Sequence, residues 1–131
     1  MVFKRFINRI KSLVSMDETQ MVIVLRKDLK LPKGKMAVQA SHSVASLVMK
    51  AKDDRIFQQW FNAGQKKIAV FCENEKELLS IMQKAKDKGL KTSLVQDAGR
   101  TVVEPGTKTC IAIGPGLESE FKGLTDKLSL V

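Results

Sequence analysis

Three short aliphatic runs and one shorter apolar stretch alternate with longer segments in which apolar residues recur at helical spacing, and this order constrains the fold more than any other feature of the chain. Together they predict β-strands at residues 21–25, 68–72, 92–96 and 109–113. A continuous aliphatic run is typical of a strand that is buried on both faces. Strands that alternate with helices form one sheet between helical layers, with parallel pairs wherever a helix crosses over. The sequence therefore predicts an α/β fold.

The segments between and after these runs predict four helices. The first begins at Lys35, the second covers residues 53–62, and the third is capped by Asn74 with Glu77 at capping-box spacing and ends before Gly89. Gly114-Pro115-Gly116 is interpreted as a turn into the last helix, near residues 118–127. Residues 101–103 are a candidate for a short extra strand.

The helix that begins at Lys35 has two distinct faces. At about 100° per residue, one face is apolar and contains Met36, Ala37, Ala40, Val44, Leu47, Val48 and Ala51. The opposite stripe is polar and contains Lys35, Gln39, His42 and Ser46.

Length and composition favour one compact domain. A chain of 131 residues with 44% apolar content can bury a core without disulfides or metal. Cys72 and Cys110 each lie beside an apolar run, which predicts buried thiols in a reducing compartment. With one histidine and no spacing typical of a metal shell, the sequence predicts neither a metal nor another cofactor.

The net charge of +9 results from 23 basic and 14 acidic residues and favours a polyanionic partner. Five basic residues cluster before the first helix with Asp28 as the only acid among them: Arg26, Lys27, Lys30, Lys33 and Lys35. We interpret this cluster as a phosphate-binding rim rather than a solvated face. Aromatic residues are few and show no base-stacking pattern, so contact with a nucleic-acid backbone is favoured over base recognition.

Residues 1–16 form a separate basic amphipathic segment, with four basic residues, no acid and apolar residues at helical spacing. The segment lacks the continuous apolar stretch of a membrane span or a secretory signal. Three interpretations stay open: an organelle-targeting presequence, for example a mitochondrial one, a helix on a membrane surface, or a helix that packs on its own domain or a partner. We divide the chain into an extension with linker at 1–19 and a domain at 20–131.

The segment 96–101 places a carboxylate, a glycine turn, a guanidinium and a hydroxyl directly after a predicted strand. Side chains at such a strand end meet ligands more often than core. From the residues alone, the favoured interpretation of Asp97 is a turn cap that binds the amides of Gly99 and Arg100. Arg100 is a candidate to bind phosphate or to pair with Glu104.

Several separated segments together resemble the type II peptidyl-tRNA hydrolases, the archaeal and eukaryotic kind, over roughly residues 20–131. These segments are 34–42 (GKMAVQASH), 64–67 (GQKK), 96–101 (QDAGRT), 105–109 (PGTKT) and 113–116 (IGPG). The resemblance implies a mixed four-stranded sheet with helices on both faces. It also implies cytoplasmic hydrolysis of the ester bond of peptidyl-tRNA, with release of the peptide and recycling of the tRNA. A homodimer stays open.

The resemblance also implies a set of site residues. The candidate catalytic residues are Asp97, Lys35, His42, Thr101 and Thr109. The candidate substrate-binding residues are Gln39, Gln65, Arg100, Lys27, Lys30 and Lys33. Our hypothesis is that Asp97 is the general base, and His42 is the alternative, since imidazole exchanges protons at neutral pH. Lys35 is expected to hold the oxyanion or the terminal phosphate, and the two threonine hydroxyls are expected to position water.

Two rival interpretations are less favoured. Ser41 and Ser43 flank the only histidine, but no nucleophile elbow is present, so direct attack by water is favoured over a covalent serine mechanism. The rival function is a non-catalytic RNA-binding or protein-interaction module on the same fold.

Overall fold

The computed structural model describes residues 2–6, 17–99 and 103–131. Its strands are β1 (Thr19–Arg26), β2 (Lys67–Cys72), β3 (Thr92–Gln96) and β4 (Lys108–Leu117). Its helices are α1 (Lys33–Ala51), α2 (Arg55–Asn62) and α3 (Glu75–Asp87), followed after β4 by a short 3-10 helix (Glu118–Phe121). Residues 2–6 are also helical. The four strands lie where the sequence predicted them, so the α/β prediction is confirmed.

The four strands form one mixed sheet in the order β2-β1-β4-β3. Strand β1 runs parallel to β2, and β4 runs antiparallel to both β1 and β3. The last residues of β1, β2 and β3 therefore lie at the same edge of the sheet as the first residues of β4. We call this edge, which includes Arg26, Gln96 and Lys108, the carboxyl edge.

Helices cover both faces of the sheet because side chains along each strand alternate between them. On one face, Met21 packs with Leu47 of α1 and with Phe57 and Trp60 of α2. On the other face, Val22 and Val24 of β1 pack with residues of α3 in a larger cluster. Burial of each such aliphatic or aromatic side chain contributes about 1.5–3 kcal/mol. The sheet is therefore buried on both faces, as its aliphatic strands require.

The capping box predicted for α3 is present in a shifted form. The Glu77 amide donates to Asn74 Oδ1 at 3.0 Å, as expected for an N-cap. The Glu77 carboxylate accepts a hydrogen bond from the amide of Glu73 at 3.2 Å. Gly89 follows the helix with a φ of +83°, a conformation that glycine adopts readily.

The chain after β4 differs from the sequence prediction. Strand β4 continues through Gly114-Pro115-Gly116 to Leu117, and only residues 118–121 form a 3-10 helix where a helix over 118–127 was expected. The prediction was wrong because Gly116 pairs with Gln20 of β1 across the sheet. A Cβ on Gly116 would lie 2.7 Å from Leu90, so glycine serves close packing here rather than a turn.

Smaller differences concern element ends. Helix α1 begins at Lys33, two residues before the predicted start, and Thr19, which we placed in the linker, is the first residue of β1. The extra strand predicted at 101–103 falls mostly on residues 101 and 102, which lie outside the described part of the chain. Both cysteines are free and buried, as predicted.

Edge strand β2 is covered by the last residues of the chain. The amide of Phe71 donates to the carbonyl of Ser129 at 2.9 Å, and the amide of Val131 donates to the carbonyl of Ala69 at 3.0 Å. These bonds satisfy groups that an open edge strand would offer to another chain.

Candidate active site

A bulge in β4 changes the direction of one side chain at the carboxyl edge. Val95 of β3 pairs with Cys110, but the next residue, Gln96, pairs with Lys108, so Thr109 is the extra residue. Successive residues of a regular strand point to opposite faces. Here Thr109 and Cys110 both contact Gln39 of α1. The bulge therefore turns Thr109 toward α1, which is a common use of bulges near functional sites.

Three buried polar side chains from different parts of the chain meet at this point. The Thr109 hydroxyl donates to Gln39 Oε1 at 2.7 Å, and Gln39 Nε2 donates to Asp97 Oδ1 at 3.2 Å. Their exposed fractions are 0% for Thr109, 4% for Gln39 and 5% for Asp97. We call these three residues the Gln39 network. It links α1, β4 and the end of β3 through side chains that are 58 and 70 positions apart.

The Asp97 carboxylate has a second anchor in its own turn. The Gly99 amide donates to Asp97 Oδ2 at 2.7 Å. This is half of the turn cap that the sequence indicated, since Arg100 lies outside the described residues. Asp97 is thus both a turn cap and a member of the Gln39 network, and its two oxygens are oriented from two directions.

The loop after Asp97 is held tightly at its base. The Asp97 amide donates to the Thr107 carbonyl at 2.8 Å, and the Gly106 amide donates to the Asp97 carbonyl at 2.7 Å. Gly99 has a φ of +83°. A Cβ at Gly99 would lie only 2.6 Å from Pro105 Cγ, so only glycine fits there without a shift of the loop.

We expect Gly99→Ala to lower kcat by roughly 10-fold to 100-fold, because it displaces the amide that orients Asp97, and small misplacements of catalytic groups have effects of this size. Gly89→Ala is the matched control, since Gly89 has the same φ of +83° but open space around it. It should lower the melting temperature while kcat is kept. Steady-state kinetics and thermal melts of both variants check this, and a wild-type kcat for Gly99→Ala would contradict it.

Lys35 and His42 lie on either side of Gln39 along α1. Lys35 comes four residues before Gln39 and His42 three residues after it, so all three share one side of the helix. Lys35 is half-buried and His42 is exposed. Both side chains are therefore accessible to a ligand beside the buried network.

The structure corrects the assignment of Gln39 to the polar stripe of α1. The buried residues of α1 are Gln39, Ser43, Leu47 and Ala51, whereas Ala37 of the predicted apolar face is exposed. The face against the sheet is thus the stripe that begins at Gln39 and ends at Ala51. Periodicity placed Gln39 toward solvent because it is polar, but its amide is satisfied by Asp97 and Thr109 within the protein.

The basic cluster divides into structural and free members. Arg26 donates to both carboxylate oxygens of Asp28, at 3.0 and 2.7 Å, and to the main-chain carbonyl of Lys108 at 2.9 Å. The hydrogen bond between Arg26 and Asp28 raises the pKa of the arginine and lowers the pKa of the aspartate. Arg26 therefore anchors the sheet edge, and we remove it from the predicted rim.

The remaining lysines of the rim are accessible. Lys27, Lys30 and Lys33 are all exposed and follow one another from the end of β1 to the start of α1. Within residues 2–6, 17–99 and 103–131, none of the three makes an ion pair. We call these three residues the lysine rim. Its charges are free to contact a ligand at the carboxyl edge.

One predicted site residue is not brought into this site, and two others lie outside the described part of the chain. Gln65 is exposed in the loop before β2, and because Lys67 pairs with Met21 near the start of β1, it lies at the edge opposite Asp97. Arg100 and Thr101 lie outside the described residues.

One residue at the site was not anticipated as a contact. The Cys110 thiol lies 3.3 Å from the Gln39 main-chain carbonyl, and burial raises its pKa to about 11, so it stays a protonated donor. The regular alternation of a strand would have placed Thr109 and Cys110 on opposite faces. Only the bulge, which the sequence does not reveal, brings both to Gln39.

The two serine hydroxyls that flank His42 are directed to the helix itself. Ser41 Oγ donates to the Ala37 carbonyl at 2.8 Å and Ser43 Oγ to the Ala40 carbonyl at 2.7 Å. Such bonds within a helix are common for serine and do not activate a nucleophile. In the part of the chain that the structure describes, no group of three His, Cys, Asp or Glu side chains could hold a metal ion.

The fold and the site together define a single-domain α/β protein with a cluster of buried polar side chains at the carboxyl edge of its sheet. The family model for peptidyl-tRNA hydrolase PTH2 matches residues 19–131. The chain therefore belongs to the PTH2 family of peptidyl-tRNA hydrolases, which confirms the resemblance of its sequence motifs.

Relatives from archaea agree with this assignment. A peptidyl-tRNA hydrolase of Thermococcus onnurineus strain NA1 is 46% identical over 112 residues, which cover 84% of this chain and 95% of that protein. Another, of Methanocaldococcus jannaschii, is 43% identical over 114 residues, which cover 86% of this chain and 99% of that protein.

A solved structure also has the same fold. A protein of unknown function from Agrobacterium tumefaciens strain C58 aligns with a TM-score of 0.59 and 16% identity over 88% of this chain and 99% of its own. At this identity the similarity concerns the fold alone, and it agrees with the mixed four-stranded sheet with helices on both faces.

Proposed function

We propose that this chain hydrolyses the ester bond between the peptide and the terminal ribose of peptidyl-tRNA, with Asp97 as the general base. The observation that carries the proposal is a buried carboxylate whose two oxygens are oriented by the Gly99 amide and the Gln39 side chain. It lies at the sheet edge that also carries the lysine rim. A carboxylate of fixed orientation suits hydrolysis of an ester bond, and the free lysine charges beside it suit a substrate that is a polyanion.

The reaction needs a base, a water molecule and stabilisation of an oxyanion. Asp97 takes a proton from water while the water oxygen bonds to the ester carbonyl carbon. The oxyanion then reforms the carbonyl as the bond from that carbon to the ribose oxygen breaks, and the ribose oxygen takes the proton from the Asp97 carboxyl. The Lys35 ammonium stabilises the oxyanion, Thr101 positions the water, and His42 is the alternative base. Thr109, which is 0% exposed, holds Gln39 beside Asp97 rather than positioning the water as the sequence suggested.

Substrate affinity is assigned to charge rather than to base recognition. Lys27, Lys30 and Lys33, with Arg100 on the loop after Asp97, are the proposed contacts to tRNA phosphates, which favour such cations in any sequence. Gln65 could contribute only to a substrate that reaches the opposite edge of the sheet.

An N-blocked aminoacyl-tRNA tests the catalytic proposal against the rival RNA-binding module. We expect release of the blocked amino acid in the presence of a chelator and little release from free aminoacyl-tRNA. Binding of the tRNA without any release would support the non-catalytic module instead.

The N-terminal segment is proposed to act outside the catalytic domain. Phe3 and Phe6 are 74% and 56% exposed, and Lys4 and Arg5 lie between them. Apolar and basic side chains presented together suit an anionic membrane surface, and packing on a partner protein or on its own domain is the alternative. Val2, Lys4 and Arg5 line a cavity together with residues of α2 and β4. No helix in the described ranges has the length and hydropathy needed to cross a membrane. Cytoplasmic location and organelle targeting remain predictions.

Deletion of residues 1–16 should leave turnover nearly unchanged, because every candidate site residue lies after position 26. We expect it to lower binding to vesicles that contain anionic lipid, measured by sedimentation at low salt. A collapse of kcat with the fold preserved would show instead that the segment completes the site.

A further inference from the structure

The Gln39 side chain has no polar group left for a substrate. Its Nε2 donates to Asp97, its Oε1 accepts from Thr109, and its main-chain carbonyl accepts from the Cys110 thiol. Only 4% of the residue is exposed. A substrate contact, which the sequence suggested for Gln39, therefore does not fit its position.

The direction of the hydrogen bonds in the network is fixed by chemistry. A carboxylate only accepts hydrogen bonds, so the amide NH₂ of Gln39 must face Asp97, and its oxygen must face Thr109. The Thr109 hydroxyl has a single proton, and it is donated to Gln39 Oε1 at 2.7 Å. The Val95 carbonyl, the other acceptor near this hydroxyl, is farther away at 3.5 Å, so Gln39 is the principal acceptor.

We infer that Gln39 is a positioning residue: held by the buried Thr109 hydroxyl, it fixes the direction in which the Asp97 carboxylate meets the attacking water. The inference rests on the proposed function, in which Asp97 takes a proton from that water. Gln39 fixes this direction without touching the substrate.

Glutamine has the length that this role requires. Asparagine is one methylene shorter and cannot span both partners, and methionine has a similar shape without hydrogen-bonding groups of comparable strength. These two residues therefore separate the length of the side chain from its chemistry.

The test compares single-turnover and steady-state kinetics of Gln39→Met, Gln39→Asn and wild type on N-blocked aminoacyl-tRNA. We expect kcat to fall on the order of 10-fold to 100-fold in both variants while KM stays within about twofold of wild type. Ser43→Ala is the control, since Ser43 is also fully buried on α1 and should keep wild-type kcat. Thermal melts confirm folding, and Gln39→Asn, which retains an amide, keeps the test valid if Gln39→Met does not fold.

A double-mutant cycle separates positioning from general stability. If Thr109 acts only by holding Gln39, the pair Gln39→Met with Thr109→Val should lose little more kcat than the larger single loss. Fully additive losses, a rise in KM at constant kcat, or wild-type kcat in both Gln39 variants would each overturn the inference.

Asp97→Asn, measured in the same assay, distinguishes this inference from the proposed function. If Asp97→Asn loses turnover and the Gln39 variants do not, only the positioning role is wrong. If Asp97→Asn keeps normal turnover, the assignment of the base is wrong as well.

Discussion

Replacement of Asp97 by asparagine is expected to lower turnover by about 10²-fold to 10⁴-fold, with a much smaller change in tRNA affinity. Asparagine keeps the shape of the side chain and an oxygen that can accept from the Gly99 amide. It cannot take a proton from water at neutral pH. The loss should therefore appear in kcat rather than in binding.

A turn cap without a catalytic role would give a different result. Asp97→Asn would then chiefly lower the melting temperature, since the cap and the Gln39 network would be weakened while hydrolysis continued. His42→Ala is the comparison, because a histidine that only orients other groups should cost less than the base. Single-turnover rates and tRNA affinities are measured for both variants. Near-normal hydrolysis by Asp97→Asn would refute Asp97 as the general base. A far larger loss of turnover in His42→Ala would assign that role to His42.

Neutralising the lysine rim is expected to weaken the binding of all tRNAs alike. In the triple variant Lys27→Gln, Lys30→Gln and Lys33→Gln, fewer counterions are released when tRNA binds, because each substitution removes a phosphate contact. The slope of log affinity against log salt should flatten by about 0.7 to 0.9 per contact. Affinity at low salt should therefore fall more than affinity at high salt, as titrations over a salt series would show.

The matched control removes the same charge elsewhere on the surface. Lys52 lies at the end of α1, and Lys84 and Lys86 lie in the last turn of α3, so all three are exposed and away from the carboxyl edge. Their change to glutamine should leave the salt slope nearly unchanged. Equal effects of the two triple variants would show that net charge rather than the rim determines affinity, and a loss confined to one tRNA species would exclude backbone contact.

The sequence predicted most of the strands well because they contain aliphatic runs, which burial on two faces requires; the third strand, Thr92–Gln96, contains only Leu94 and Val95 as aliphatic residues. The N-cap of α3 was equally predictable from the sequence, since Asn74 and Glu77 are close in the chain and their interaction is local. Where local patterns compete with distant pairing, the prediction was wrong. Gly114-Pro115-Gly116 has the composition of a turn, but its pairing with β1 decides its conformation.

The site was predictable only in part, for the same physical reason. The residues alone favoured Asp97 as a turn cap, and the resemblance to a family made it a candidate for the general base. The burial of Gln39 could not be derived, because its polar character indicated solvent and its partners are 58 and 70 positions away. The bulge at Thr109 could not be predicted either, since the residue types in a strand do not show which residue is the extra one in a bulge.

The burial of both cysteines has a practical consequence for measuring these reactions. Cys72 and Cys110 are the only thiols of the chain, both are 0% exposed, and burial raises the pKa of each to about 11. Thiolate, the form that reacts with maleimides, is therefore scarce and shielded in the native protein. A cysteine introduced at Val38, which is 49% exposed and precedes Gln39 on α1, would be modified selectively near the carboxyl edge. A single fluorophore at that position could report tRNA binding without removal of either native cysteine.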